Sequence, residues 1–205
     1  MRWSATAALV AALLVCSGLV AGCSSDDIPS PGAARIDVDT PQLRTLRTEA
    51  GIEACEPGTG APVDHGLPDV TLPCLGGGED VDLAGLRGPL VVNLWASWCG
   101  PCVKEMPEIA AFYERYGDQV PVIGIDYQDN QTAAAFDLAK RSGVTYPLLA
   151  DTQGDLQAKP PFAARIAVPS FAFVAEDGTV TLELGRVKSV DDLVGLVEKH
   201  LGVRL

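Results

Sequence analysis

Pro89 to Ala96, "PLVVNLWA", is a short, nearly unbroken apolar run, and it stops abruptly at Ser97-Trp98-Cys99. From there the spacing changes: Cys102, Met106, Ile109 and Tyr113 recur every three to four residues, with Glu105, Glu108 and Glu114 between them. A β-rich run of this length without alternation is buried on both faces of a sheet, and the 3.6-residue period that follows is an amphipathic helix. The junction commits the chain to an α/β fold. It also sets Cys99 and Cys102 at the carboxyl end of a buried strand, where a helix begins and where open α/β sheets carry their sites.

The rest of the chain continues the pattern. "QVPVIGIDY" predicts the next buried strand, Thr132 to Arg141 a helix stopped near Gly143, and "TYPLLAD" a short strand. "FAFVAEDGTVTLEL" reads as a hairpin turning at Asp177-Gly178, and Ser189 caps a last helix through His200, with Asp191 and Asp192 in its first turn. Pro107 is expected to kink the helix that follows Cys99. These elements predict a central mixed β-sheet flanked by helices.

Upstream, an apolar stretch from Ala5 to Ala21, relieved by small residues, ends in "LVAGC". It reads as a lipoprotein signal peptide over residues 1–22, with Cys23 as the lipidated residue, which places the domain on the extracytoplasmic side of a cell membrane. An ordinary cleaved signal and an uncleaved anchor are the alternatives. Residues 23–62, rich in Pro, Ser, Asp and Gly, are expected to be a flexible tether with at most a short helix around Leu43 to Gly51, and residues 63–205 the folded domain. The net charge of -12 is spread along the chain and argues against a nucleic-acid surface.

Cys16 belongs to the leader. With Cys23 acylated, the remaining four cysteines are even in number, as two disulfides in an oxidising compartment require. Proximity pairs Cys99 with Cys102 and leaves Cys55 for Cys74. A thiol at a helix N-terminus is acidified by free amides and by the helix dipole, so Cys99 is expected to be the exposed attacking nucleophile and Cys102 the more buried resolving thiol. A zinc half-site completed by Cys55 and Cys74, or a static disulfide, is the alternative; no second close Cys or His pair supports zinc, and His65 and His200 stand apart.

"WASWCGPC" resembles the thioredoxin superfamily motif, and "VVNLWASWCGPCVKEMPEI" is similar to the membrane-anchored TlpA/ResA-like thiol:disulfide oxidoreductases, within the redoxin or AhpC-TSA-like group. The resemblance runs from about Pro68 to the C-terminus. It implies a thioredoxin-like fold with an N-terminal β-hairpin in "PCLGGGEDVDLAGLRG" and a central insertion from Tyr127 to about Arg165. "AVPSF" matches the cis-proline loop, so Pro169 would lie against the disulfide while Val168 pairs with substrate through its backbone. Trp98, Gly100, Pro101 and Val168 would form the docking surface. Glu105 matches an acid that tunes the thiols or relays a proton, although its spacing also suits a solvated helix flank. Asn93 stands where thioredoxin has a buried Asp and cannot take a proton. Two features depart from the family: Ser170 follows Pro169 where the cytochrome-c-maturation branch has an acid, and Cys55 and Cys74 are not general family residues, so they make a structural disulfide or a second redox pair.

The resemblance implies a protein-disulfide reductase without cofactor or metal, serving apocytochrome c or other exported thiol proteins and recharged by a membrane thiol-redox partner. The alternatives are a disulfide-forming oxidase, a peroxiredoxin, and a copper or other metal carrier. Ala96 and Val92 occupy the places of the peroxiredoxin Thr or Ser and Pro, and metal carriers usually space their cysteines more widely.

Overall fold

A computed structural model describes residues 31–163 and 166–205; the signal peptide expected at 1–22, Cys16 and Cys23 lie outside the described residues. The buried run forms β3 (Leu90–Trp95), the centre of a five-stranded sheet. On one side it pairs in parallel with β4 (Val122–Tyr127), which pairs in parallel with β5 (Leu148–Asp151). On the other it is antiparallel to β6 (Ser170–Val174), which turns back into β7 (Val180–Leu184) through Asp177-Gly178. Gly178 takes a φ of 86° there, a conformation that costs a glycine little. A separate hairpin, β1 (Thr71–Leu72) with β2 (Val81–Asp82), precedes the sheet.

Both faces of β3 are buried because both are covered. Val91 and Trp95 face a core built with Leu43 from α1 (Pro41–Ala50), Met106, Ile109 and Phe112 from α2 (Gly100–Tyr116), Phe136 from α3 (Thr132–Arg141), and Leu193 and Val197 from α4 (Val190–Leu201). Leu90, Val92 and Leu94 face a second core, with Leu72 and Val81 of the hairpin and Leu156 and Phe162 of the insertion. The architecture is the mixed sheet flanked by helices that the alternating pattern predicts. Helix α2 continues through Pro107 to Tyr116; the missing N–H leaves the Val103 carbonyl without its helical donor, on a residue that is 37% exposed.

The expectation of a flexible tether over 23–62 is corrected for the described part. From Ala34 the chain is docked: the Ala34 amide donates to the Thr152 carbonyl at 2.9 Å, Gly76 to Val38 at 2.8 Å and Glu53 to Thr145 at 2.8 Å. Thr40 caps α1 with its hydroxyl, Pro41 opens it, and Gly51 closes it at φ 72°. Val38, Leu43, Ile52 and Cys55 are each at most 6% exposed. Four anchors over 18 positions are too sparse to register as an amphipathic period, yet each buries an apolar side chain worth about 2 kcal/mol. A disulfide from Cys55 to Cys74 completes the attachment, and Cys74 itself bridges to Leu149 at the edge of β5.

Candidate active site

Cys99 is the N-cap of α2, with extended backbone at φ -83° and ψ 102°, and its sulfur accepts from the Cys102 amide at 3.2 Å. The same sulfur is bonded to Cys102. Pro101 falls in the first turn, where its missing N–H costs no helical bond. The expected difference in exposure is smaller than the sequence suggests: Cys99 is 4% exposed and Cys102 0%. In the disulfide the Cys99 sulfur lies over the first turn, in a core on which Trp98 and Val168 pack. Gly100, Pro101, Val103 and Lys104 are the exposed residues at the helix start.

Glu105 is three residues beyond Cys102, one turn down the same helix face. The solvated-flank reading is overturned, because Glu105 is 0% exposed. Its Oε1 accepts from Asn93 Nδ2 at 3.3 Å, and its Oε2 accepts from the Val187 amide at 3.3 Å. Burial outweighs these bonds and the nearby Arg186 charge, and pushes the carboxyl up to about 8. Asn93 is 0% exposed on β3, with its amide oxygen lacking a donor among the described residues. Turned over, the same amide accepts the proton of the acid form, so Asn93 serves both protonation states of Glu105.

The Val168–Pro169 peptide is cis, and β6 begins at the next residue. Trp95 is fully buried, whereas Trp98 is partly exposed and donates through Nε1 to the Gln128 carbonyl at 3.3 Å. The structure thus brings Cys99, Cys102, Glu105, Asn93 and Trp98 together at one end of the sheet. Cys55 and Cys74 lie apart: Cys55 lines a hollow of about 440 Å³ with Leu90, Val122 and Pro147, at the end where β3 and β4 begin. His200 stacks on Phe173 with centroids 4.9 Å apart and meets Glu183 at 3.0 Å, away from the cysteine pair. Among the described residues no group of three or more His, Cys, Asp or Glu side chains is arranged to hold a metal.

Two residues near the site escaped the sequence reading. Asp129, 0% exposed, accepts from the Ser97 amide at 2.6 Å and the Gln131 amide at 2.8 Å. Asp126, 1% exposed on β4, stands beside Trp95 in the strand register. The available signal was an acid inside an apolar strand, in "VIGIDY".

A family profile described as the AhpC/TSA family matches residues 63–182. The chain is 31% identical over 105 residues to thiol-disulfide oxidoreductase ResA of Bacillus subtilis (strain 168), covering 50% of this chain and 54% of that protein. It is 30% identical over 83 residues to sporulation thiol-disulfide oxidoreductase A of the same organism, covering 38% of this chain and 50% of the relative. The chain thus spans about half the length of these curated relatives. Among solved structures, MTB dsbF superposes with a TM-score of 0.56 at 28% identity, over 64% of this chain and 94% of that one. A secreted Mycobacterium tuberculosis disulfide oxidoreductase homologous to E. coli DsbE gives 0.55 at 25% identity, over 64% and 96%. These likenesses make the fold thioredoxin-like.

Proposed function

The chain belongs to the AhpC/TSA family, and from that premise we propose that it is a thiol:disulfide oxidoreductase that exchanges disulfides with protein thiols through Cys99 and Cys102. The observation that carries this reading is a disulfide whose first sulfur caps a helix, with a protonatable carboxyl buried one turn behind the second sulfur. The names of ResA and of sporulation thiol-disulfide oxidoreductase A support it.

In the reducing direction, the Cys99 thiolate attacks a client disulfide, forms the mixed disulfide and expels one client thiolate, which takes a proton from solvent. Cys102 passes its proton to the Glu105 carboxylate and attacks the Cys99 sulfur. The Cys99–client bond breaks, and the second client sulfur leaves as a thiolate that is then protonated. Two electrons have moved to the client, and the protein holds the disulfide seen here. A base tuned near the working pH suits this transfer. The cis-Pro169 loop, with the Val168 backbone, Trp98, Gly100 and Pro101, forms the docking surface for the client chain.

The working direction we propose is reduction of exported proteins, apocytochrome c among the clients, by a protein anchored outside the cytoplasm through lipid at Cys23 and recharged by a membrane dithiol partner. Gly-Pro between the cysteines supports a reducing pair, and the leader-like N-terminus supports the location. Run backward, the same steps form disulfides. The reduction potential separates the two: a value near the thioredoxin end, about -270 mV, supports the reductase, and one near about -120 mV sinks it. Peroxidase chemistry is disfavoured by Val92 and Ala96, buried apolar residues where a peroxiredoxin carries Pro and a hydroxyl.

The deciding experiment is a Cys102→Ser trap in the full chain. Cys99 is expected to accumulate mixed disulfides with exported proteins, and Cys99→Ser to accumulate none. Absence of any trapped species under both oxidising and reducing conditions refutes the exchange reading.

A further inference from the structure

Asp126 is expensive to keep where it is. It is 1% exposed, and neither of its oxygens meets an N–H or hydroxyl donor among the described residues. The group facing it is a second carboxyl, Asp129, itself 0% exposed. A buried carboxyl with a second carboxyl acting on it and no donor to receive keeps its proton, and Asp126 is that carboxyl. The two acids are held differently. Asp129 already accepts two amide N–H bonds, from Ser97 at 2.6 Å and Gln131 at 2.8 Å, as a carboxylate does. Asp126 has no donor to receive, so it is the acid, and its O–H points to the one acceptor beside it.

The neighbours do not relieve this arrangement. Trp95 on β3 and Ala150 on β5, which flank Asp126 in the sheet register, are uncharged. The Asp151 carboxyl accepts from the Asp155 and Leu156 amides, and Glu105 of α2 is held by Asn93 and Val187. Among the described residues the charged group acting on Asp126 is Asp129. Burial and that acid both keep the Asp126 carboxyl protonated far above the usual carboxylate range. An acid that costs stability and is held against another acid directly beneath a reactive turn is the kind of local conflict that functional sites carry.

We propose that Asp126 is a positioning residue for disulfide exchange: its carboxyl donates to Asp129, and the pair clamps the Ser97–Cys99 turn so that Cys99 is kept as the N-cap of α2. The clamp has two points of attachment, the Ser97 amide on Asp129 and the Trp98 indole on the Gln128 carbonyl. Without the Asp126 hydrogen bond, Asp129 is held among the described residues by the Ser97 and Gln131 amides alone, and the Ser97–Cys99 turn loses the support behind it. The Cys99 sulfur then leaves the Cys102 amide, and its thiolate loses the helix terminus that stabilises it. The inference rests on thiol exchange at Cys99 and holds for either direction of electron flow.

The test is the rate of iodoacetamide alkylation of Cys99, located by peptide mass, in the reduced full chain from pH 5 to 10. Asp126→Leu is expected to slow alkylation at pH 7 about tenfold. Asp126→Asn is expected to stay within about twofold of wild type, because its amide N–H replaces the carboxyl proton as donor to Asp129. At alkaline pH, where the shared proton leaves, the wild-type rate should fall below that of Asp126→Asn. Wild-type alkylation in a folded Asp126→Leu, or equal impairment of the Leu and Asn variants, overturns the proposal. Should Asp126→Leu not fold, thermal midpoints decide: Asp126→Asn must gain on wild type as pH rises from 5 to 9, and parallel curves overturn the shared proton. If Cys102→Ser traps no client while Cys99 alkylation follows Asp126 as expected, the exchange reading fails and the clamp stands.

Discussion

Glu105 and Asn93 form a pair whose two members answer different needs. The carboxyl must be buried to lie one turn behind Cys102, and burial would leave it without a partner in one protonation state if its neighbour offered only a donor. An amide offers both a donor and an acceptor without changing its charge, which a Leu at position 93 would not. Glu105→Gln is therefore expected to slow the resolving attack of Cys102 on a Cys99 mixed disulfide by roughly 100-fold, the scale of a lost general base, and to remove the pH inflection near about 8. Stopped-flow release of a thiol from a preformed mixed disulfide measures both. Because the Asn93 bond favours the charged form, Asn93→Leu should move that inflection upward. An inflection unmoved by Asn93→Leu would mean that another group is being titrated.

At the scale of elements, the docked arm and α2 make separate demands on the two disulfides. Cys99–Cys102 spans the first turn of α2, whereas Cys55–Cys74 ties the segment after α1 to the chain at the edge of β5. Closing a loop of 19 residues by that second bond stabilises the fold by roughly 3 kcal/mol. The Cys55→Ser/Cys74→Ser double variant should lose about that much in urea unfolding, and the amides of Glu53 and Gly76, which hold the arm, should exchange faster with solvent. Its Cys99–Cys102 potential should stay at the wild-type value, since the two bonds sit at opposite ends of the sheet. A matching shift in that potential would instead make Cys55–Cys74 a redox relay. The arm was hard to read in the sequence because its four anchors follow no helical or strand period, and only the surface they dock on makes them a set.

For the molecule as a whole, Glu105, Asp126 and Asp151 are buried acids whose carboxyls are all raised, chiefly by burial. An acid raised on folding binds its proton in the native state after the unfolded chain has released it, so its favourable contribution is present below the unfolded value, near 4, and is lost as pH rises through the folded one. Thermal midpoints are therefore expected to fall between pH 5 and pH 8, and the slope should flatten in Glu105→Gln and Asp126→Asn. A midpoint that rises over that range would refute the raised acids. Exposed acids such as Asp39 and Asp177 are shifted the other way by hydrogen bonds and temper the slope only weakly in solvent.

The strand ending at Trp95, the helix beginning after Cys99, the Asp177-Gly178 turn and the cap at Ser189 are all legible in the sequence, because each is decided by residues within a turn or two of itself. So is the pairing of Cys99 with Cys102. What the sequence left open was the surroundings of its polar residues. Glu105 reads equally as a solvated flank until the loop at Val187, 82 residues later, closes over it. Asp126 is an isolated acid in a strand until Asp129 is turned back to face it, and residues 34–56 are a tether until β5 and α3 supply a surface. Periodicity and capping are local, whereas the burial of a charge depends on segments distant in the chain, and burial is what separates a surface acid from one that handles a proton.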